Sequence, residues 1–328
     1  MLILSGQDVR DSLPMSDAIE VMKQAFASLA RGEAVVPLRT HVPAHDGDGV
    51  TLIMPARVEG ESSALAVKVV SVFDRNVGVG IPRIQAAVIA LDPDTGRPLA
   101  LLEGSALTAI RTAAASGAAT DLLADPASET LAVLGAGVQA RSHIDAMCSI
   151  RPISTIRIFD AEPGKASRVI DELGATLHPS CQISSAESAA AAVREADIIC
   201  TTTTSRTQVF EDADVKPGAH INAVGAYTPN SREVGGATVA RAWVAVDDRG
   251  AAWAEAGELI QARDEGLIDA NHVRADLGEL VLDAELRPPS PDQLTLFKTV
   301  GVAVQDAAAA AATIEAAERM GLGTVVAW

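Results

Sequence analysis

Residues 130–160, TLAVLGAGVQARSHIDAMCSIRPISTIRIFD, restrict what this chain can fold into more than any other stretch. A short apolar run, Leu131 to Leu134, leads into Gly135, Gly137 and Ala140 at the spacing G-x-G-x-x-A. A helical segment follows, then a second apolar run, Ile156 to Phe159, closed by Asp160. Strand, glycine turn, helix, strand and acid in that order form a dinucleotide-binding unit. Gly135 permits the tight turn, Gly137 lets a pyrophosphate approach the backbone, and Ala140 lets the helix pack close to the strand. The helix N-terminus offers N–H groups and the positive end of its dipole to the phosphates. Glycines at this spacing are weak evidence alone. The flanking strands and the acid 25 positions after Gly135 give them force.

Asp160 bears on which nicotinamide cofactor binds. A carboxylate there accepts hydrogen bonds from the ribose hydroxyls of NAD and repels the 2′-phosphate of NADP, with Glu162 adding to the repulsion. Its other job would be to cap a helix starting near Pro163, and the two jobs are compatible. Arg157 and Arg168 stand close in sequence and complicate the preference. Val138, Gln139, Thr202, Thr203 and Val224, at the helix start and at later strand ends, complete the expected cofactor contacts.

From Thr130 onward the chain alternates. Strands are expected at 130–135, 155–160, 197–202, 219–224 and 242–247, and helices at 138–149, 163–173, 185–195 and 250–264. Such alternation gives a parallel sheet covered on both faces. The preceding region differs. Asp17 to Ala30 has helical spacing, and Val50–Met54, Leu65–Val72 and Gln85–Leu91 are strand-like. The turn residues 92–96 join the last of these to Leu99–Leu102 as a hairpin, before an Ala-rich helix, Thr108 to Leu123. A second Ala-rich helix, Val300 to Met320, has the apolar content to return to the first domain. The expected α/β fold is therefore a doubly wound parallel sheet over 126–299 and a smaller, discontinuous α+β domain over 1–125 and 300–328. Pro288 to Pro291 is a stiff connector.

Composition excludes several classes. A net charge of −17 opposes nucleic-acid and anionic-membrane binding. Apolar runs break well before the roughly 18 residues a membrane span needs. The N-terminus lacks the basic region and apolar core of a secretory signal. Cys148, Cys181 and Cys200 read as reduced thiols of a cytoplasmic protein. No metal is expected: His41 and His45 are four apart, but Pro43 stands between them.

The candidates for chemistry are cations of the first domain. Lys68 lies inside the apolar run LAVKVVSV. Burying an ammonium is costly, and spacing alone leaves open whether Lys68 is buried or on a wet strand face. Arg111 sits in LTAIRTAAASGAA, where an arginine pairs with a carboxylate of the protein or of a ligand. Arg39, in VVPLRTHV, is less distinctive and also reads as a surface residue.

At this point the chain resembles the ornithine cyclodeaminase/μ-crystallin family over nearly its whole length. The resemblance rests on VPLRT (36–40), the strand around Lys68, IQAAVIALDPDTGRPLALLEGSALTAIRTAAASGAA (84–119), LAVLGAGVQAR (131–141), HINAVGAYTPNSREV (220–234) and LFKTVGVAVQDAAAAA (296–311). The family includes ornithine cyclodeaminases, ketimine and pyrroline-2-carboxylate reductases, archaeal-type alanine dehydrogenases and thyroid-hormone-binding μ-crystallins. The resemblance implies that Arg39 and Arg111 hold the substrate carboxylate, that Lys68 is the active-site lysine, and that a homodimer forms through the first domain. One position departs. Cyclodeaminases carry an acid shortly after NAVG, and Tyr227 stands there in this chain. A phenol does not balance an ammonium group, so ornithine cyclodeamination is placed in doubt and the imine-reductase branch fits better.

The expected activity is NADH-dependent reduction of the C=N bond of an α-imino acid, either a cyclic ketimine or an imine of a 2-oxo acid such as iminosuccinate. Arg111 and Arg39 would clamp the carboxylate and Lys68 would give the nitrogen its proton. The alternatives are an ornithine cyclodeaminase holding NAD, an amino-acid dehydrogenase, and a cofactor-dependent binding protein without turnover. Retention of Lys68 beside both arginines opposes the last. Asn76, Arg83 and Gln85 are further candidates to line the pocket.

Overall fold

The computed structural model describes residues 1–327 apart from 46, 48, 61, 62, 175, 176 and 178, together with all but the side chain of Val77. Strand β1 (Leu2–Leu4) leads into α1 (Gly6–Ser12) and α2 (Met15–Ala30). Ser5 and Asp8 cap α1 reciprocally, each side chain taking the other's backbone N–H. Helix α2 buries Ala18, Ile19, Met22, Ala25 and Phe26, one stripe at helical spacing. Five strands follow before a turn: β2 (Ala34–Val35), β3 (Thr40–Pro43), β4 (Val50–Val58), β5 (Ala64–Val72) and β6 (Ile84–Leu91). The expected hairpin joins β6 to β7 (Pro98–Glu103), with Asp92 Oδ1 accepting from the N–H groups of Asp94 and Thr95. Helix α3 (Gly104–Leu123) comes next.

Strands β4 to β7 form an antiparallel meander. Along β5 every second residue is buried, and Lys68 belongs to the buried set with Ala64, Ala66, Val70 and Val72. The alternative left open by spacing is thereby decided: Lys68 is not on the wet face.

The second half is wound as expected. In chain order it comprises β8 (Thr130–Leu134), α4 (Val138–Ile150), β9 (Thr155–Phe159), α5 (Lys165–Leu173), β10 (Gln182–Ser185), α6 (Ala189–Val193), β11 (Ile198–Thr201), β12 (His220–Ala223), α7 (Gly236–Arg241), β13 (Trp243–Val246), α8 (Arg249–Glu255), α9 (Gly257–Asp264), β14 (Val273–Asp276), α10 (Leu277–Leu282) and β15 (Thr295–Lys298). All pair parallel, in the order β10-β9-β8-β11-β12-β15-β13-β14. Strand order reverses at β8, so the crevice at the carboxyl ends of β8 and β11 is the switch point at which such sheets bind ligands.

The chain ends with α11 (Ala303–Met320) and β16 (Thr324–Val325), which pairs with β1. Two compact units result: unit 1 is Met1–Thr112 with the segment from Gly301 onward, and unit 2 is Ala113–Val300. The division falls inside α3, not in the loop after it where the composition changes. Two helical readings need correction. Residues 250–264 form two helices broken at Ala256, because α9 begins on Gly257, where a Cβ would collide with the carbonyl of Ser231. The expected helix 185–195 shrinks to α6, since Gln182–Ser185 pairs with β9 as a strand. Among the described residues, no helix is long and apolar enough to cross a membrane.

Candidate active site

Unit 1 gathers its cations around one carboxylate. Asp306, on the first turn of α11, lies with Oδ2 2.7 Å and Oδ1 2.9 Å from Lys68 Nζ of β5. Arg111 Nε of α3 donates to the same Oδ1 at 3.1 Å, and its Nη1 donates to Gln305 Oε1 at 2.8 Å. Lys68 and Asp306 are each 1% exposed and Arg111 5%. Burial pulls Lys68 below the usual lysine range to about 8; Arg111 and, more weakly, Arg39 add to the pull, and Asp306 opposes it. Gly301 gives the guanidinium its room. It has φ +81°, and a Cβ there would lie 2.8 Å from Arg111 Nη1. The arginine is thus paired with a carboxylate of the protein, one of the two partners that sequence allowed. Two of its five N–H donors are engaged by Asp306 and Gln305, which leaves others for a ligand. Arg39 is half-buried in the segment before β3.

Sequence reading missed Asp306. It stands within VAVQDAAAAA, where a lone acid in an Ala-rich run reads as ordinary helix N-terminal chemistry. A partial signal was present: Arg111, among small apolar residues, called for a carboxylate partner. Of the other pocket candidates, Arg83 Nε is paired with Asp74 Oδ1 at 2.5 Å. Asn76 Nδ2 donates to the carbonyl of Pro82, and Gln85 is an exposed residue of β6.

In unit 2 the glycine turn has the geometry its residues imply. Gly135 has φ +93°, and a Cβ there would sit 2.8 Å from Thr202 O, so no other residue fits. A Cβ at Gly137 would meet nothing within 4 Å, and α4 starts on it with no side-chain cap. That combination is an open cradle at the N-terminus of α4. Ala140 is fully buried against the sheet, whereas Val138 is exposed. Gln139 Oε1 is a buried acceptor without a partner among the described residues. Asp160 Oδ2 accepts from Ala136 N at 2.7 Å and Oδ1 from Glu162 N at 2.8 Å. It does not cap α5, whose N-cap is Gly164. It ties the glycine turn to the end of β9 and keeps lone pairs for a ribose. Thr202 Oγ1 donates to Gly135 O at 3.0 Å, and Val224 N to Thr201 O at 3.0 Å. The residues fit a dinucleotide.

A buried acid network, not anticipated from sequence, holds the loops after β11 and β12. Glu233 is 0% exposed. Its Oε1 accepts from Thr203 N at 2.6 Å, and its Oε2 accepts from Thr201 Oγ1 at 2.9 Å and Gly225 N at 2.6 Å. Glu258 Oε1 accepts from Glu233 N, and Glu258 Oε2 lies 3.2 Å from Lys298 Nζ. Burial raises the Glu233 carboxyl above its ordinary range, opposed by Lys298. Tyr227 is half-buried and packs against the apolar core of unit 2.

A Rossmann crevice with an acid on its second strand, and in the other unit a buried lysine–arginine–aspartate cluster, define a dinucleotide-dependent oxidoreductase of two units. The sequence matches the ornithine cyclodeaminase/mu-crystallin family over residues 1–320, and the chain belongs to that family. A Delta(1)-pyrroline-2-carboxylate reductase of Bacillus cereus (strain ZK / E33L) is 35% identical over 324 residues, 98% of either chain. The structure of Thermococcus litoralis Delta(1)-pyrroline-2-carboxylate reductase in complex with NADH and L-proline is similar at a TM-score of 0.95 and 39% identity, covering 99% of this chain and 100% of that one. An archaeal alanine dehydrogenase dimer with bound NAD is similar at a TM-score of 0.91 and 29% identity, covering 100% and 99%.

Proposed function

We propose that this protein uses NADH to reduce the C=N bond of an α-imino acid, and that the substrate is a cyclic ketimine of the pyrroline-2-carboxylate type. The observation that carries the reading is a lysine buried against Asp306 and sharing that carboxylate with an arginine that has donors to spare. The activity of the Bacillus cereus and Thermococcus litoralis relatives supports it. Arg111, helped by Arg39, holds the substrate carboxylate, and the fork of Arg111 is kept in plane by Asp306 and Gln305. Lys68 gives the substrate nitrogen the proton it gains as the adjacent carbon is reduced. NADH, when bound, supplies the hydride. Gly135, Gly137, Val138, Gln139 and Ala140 would hold its pyrophosphate, Asp160 its ribose, and Thr202, Thr203 and Val224 line the strand ends beyond. Arg83 is engaged by Asp74, which weighs against a second substrate carboxylate and hence against iminosuccinate.

The protein acts as a homodimer through the outer face of the unit 1 sheet. There Ile53, Val69, Val67, Ile89 and Leu101 form a register-matched apolar band, with Ile53 and Ile89 each 38% exposed. The dimeric alanine dehydrogenase supports this. Sedimentation of a monomer at micromolar concentration would refute it. A cytoplasmic site of action suits its three thiols, none in a disulfide, and its dependence on NADH; cell fractionation tests that.

The decisive assay follows NADH oxidation with pyrroline-2-carboxylate, piperideine-2-carboxylate and several 2-oxo acids plus ammonia. Ornithine is tested separately for ammonia release. Fast turnover of the cyclic imines is expected, with slow or absent ornithine conversion. Efficient ornithine turnover without added reductant would overturn the reading in favour of a cyclodeaminase.

A further inference from the structure

Three cations stand in or beside one small region of unit 1, and a single acid meets two of them. The charged groups around Lys68 are Asp306 from α11, Arg111 from α3 and Arg39 from the segment before β3. Asp306 is the only anion in that set. Its Oδ1 is shared between Lys68 Nζ and Arg111 Nε, and its Oδ2 faces Lys68. Its neighbour Gln305 holds the far side of the guanidinium and takes Val302 N at 3.0 Å, so α11 presents both groups from its first turn. Burial of Lys68, Arg111, Gln305 and Asp306 leaves little solvent to replace the carboxylate if it is removed.

We infer that Asp306 is a positioning residue for the reduction: it touches no substrate, but fixes the arginine fork and the lysine relative to each other and keeps the lysine loaded with the proton it delivers. The inference rests on Lys68 as proton donor. Its sign follows from the charges. The charge of Asp306 and its hydrogen bond are what raise Lys68 against burial, Arg111 and Arg39. Neutralising Asp306 leaves only the lowering influences, so Lys68 loses its proton at lower pH. The rate of reduction, which needs the protonated lysine, then declines from a lower pH than in the wild type.

The test measures kcat/KM for NADH-dependent reduction of pyrroline-2-carboxylate from pH 5.5 to 9.5, with NADH affinity determined separately by fluorescence. In Asp306→Asn the alkaline decline should move at least about one pH unit toward acid, with part of the activity recovered near pH 6 and NADH affinity within about twofold of wild type. In Asp306→Glu, which keeps the charge but displaces it, the decline should stay within a few tenths of a unit while kcat/KM drops about tenfold or more. An unmoved decline in a folded Asn variant, or wild-type kcat/KM in the Glu variant, overturns the inference. The Glu variant decides alone if the Asn protein does not fold. Lys68→Met separates the two levels of failure. If it retains activity, the lysine is not the donor, and the proton step falls together with the inference that rests on it, while the reductase activity stands. If it is inactive while Asp306→Asn leaves the profile unchanged, only the role of Asp306 falls.

Discussion

Each unit buries acids and lysine together, and uses them in opposite ways. In unit 1, Asp306 spends its oxygens on side chains, Lys68 and Arg111. In unit 2, Glu233 spends three of its four hydrogen bonds on backbone N–H groups of the loops after β11 and β12. The first arrangement gathers an ammonium and guanidinium donors at one point, as the proposed chemistry requires. The second fixes the path of the chain, which is shape. Charge burial by itself therefore says little about catalysis; what the buried acid is bonded to says much more.

If the contrast is right, damage in unit 1 should stop the reaction with cofactor binding intact, and damage in unit 2 should do the reverse. The largest effect is expected for Lys68→Met. General acid catalysis is typically worth about 10²–10⁴-fold, and the loss should appear in kcat with NADH affinity nearly unchanged. Full activity in the folded variant, its thermal transition measured alongside, would leave the proton donor unidentified. Arg111→Ala should lower kcat/KM by about a hundredfold, because the reacting carbon is misplaced as well as less tightly held. Arg111→Lys should rescue little, since an ammonium lacks the two-point fork. Near wild-type kinetics in the alanine variant would make Arg111 structural.

Glu233→Gln sharpens the other side. The amide places N–H groups against backbone N–H donors, and an unmet buried donor costs about 1–3 kcal/mol. NADH should bind about tenfold more weakly while the pH profile of the reduction stays where it was. A shifted profile with unchanged NADH affinity would reverse the assignment of roles. The smallest effect is expected for Asp160→Ser, which should relax the preference for NADH over NADPH by a few-fold. A wild-type protein more efficient with NADPH would already refute the ribose role.

The parallel sheet was legible because Leu131–Leu134, Ile156–Phe159 and their successors are short apolar runs separated by helical spacing. The glycine turn was legible because only Gly can hold φ +93° beneath Thr202. Strand β15 was not read, since Thr295–Lys298 offers only Leu296 and Phe297 between a threonine and a lysine, too short an apolar run to announce a strand. Strand β10 is mostly exposed, so it carries no apolar run either. Lys68 was ambiguous because spacing gives parity along a strand but not which face is wet. Asp306 and Glu233 escaped for a shared reason. The partners of Asp306 lie 238 and 195 positions away, and those of Glu233 range from 7 and 8 positions away in one loop to 30 and 32 at the end of another strand, so no single periodicity records the pairings.

The placement of Asp306 also sets an order for the birth of the molecule. Synthesis runs from the N-terminus, and domains normally fold in the order they emerge. Here the lysine of β5 leaves the ribosome 238 residues ahead of the acid it is buried with. Residues 113–300 are all translated before α11 exists. The first-made unit is therefore the last to be completed. A chain truncated after Val300 should show a protease-resistant unit 2 and a cleavable segment 1–112, and equal resistance of both would show that the early strands close without their counter-ion.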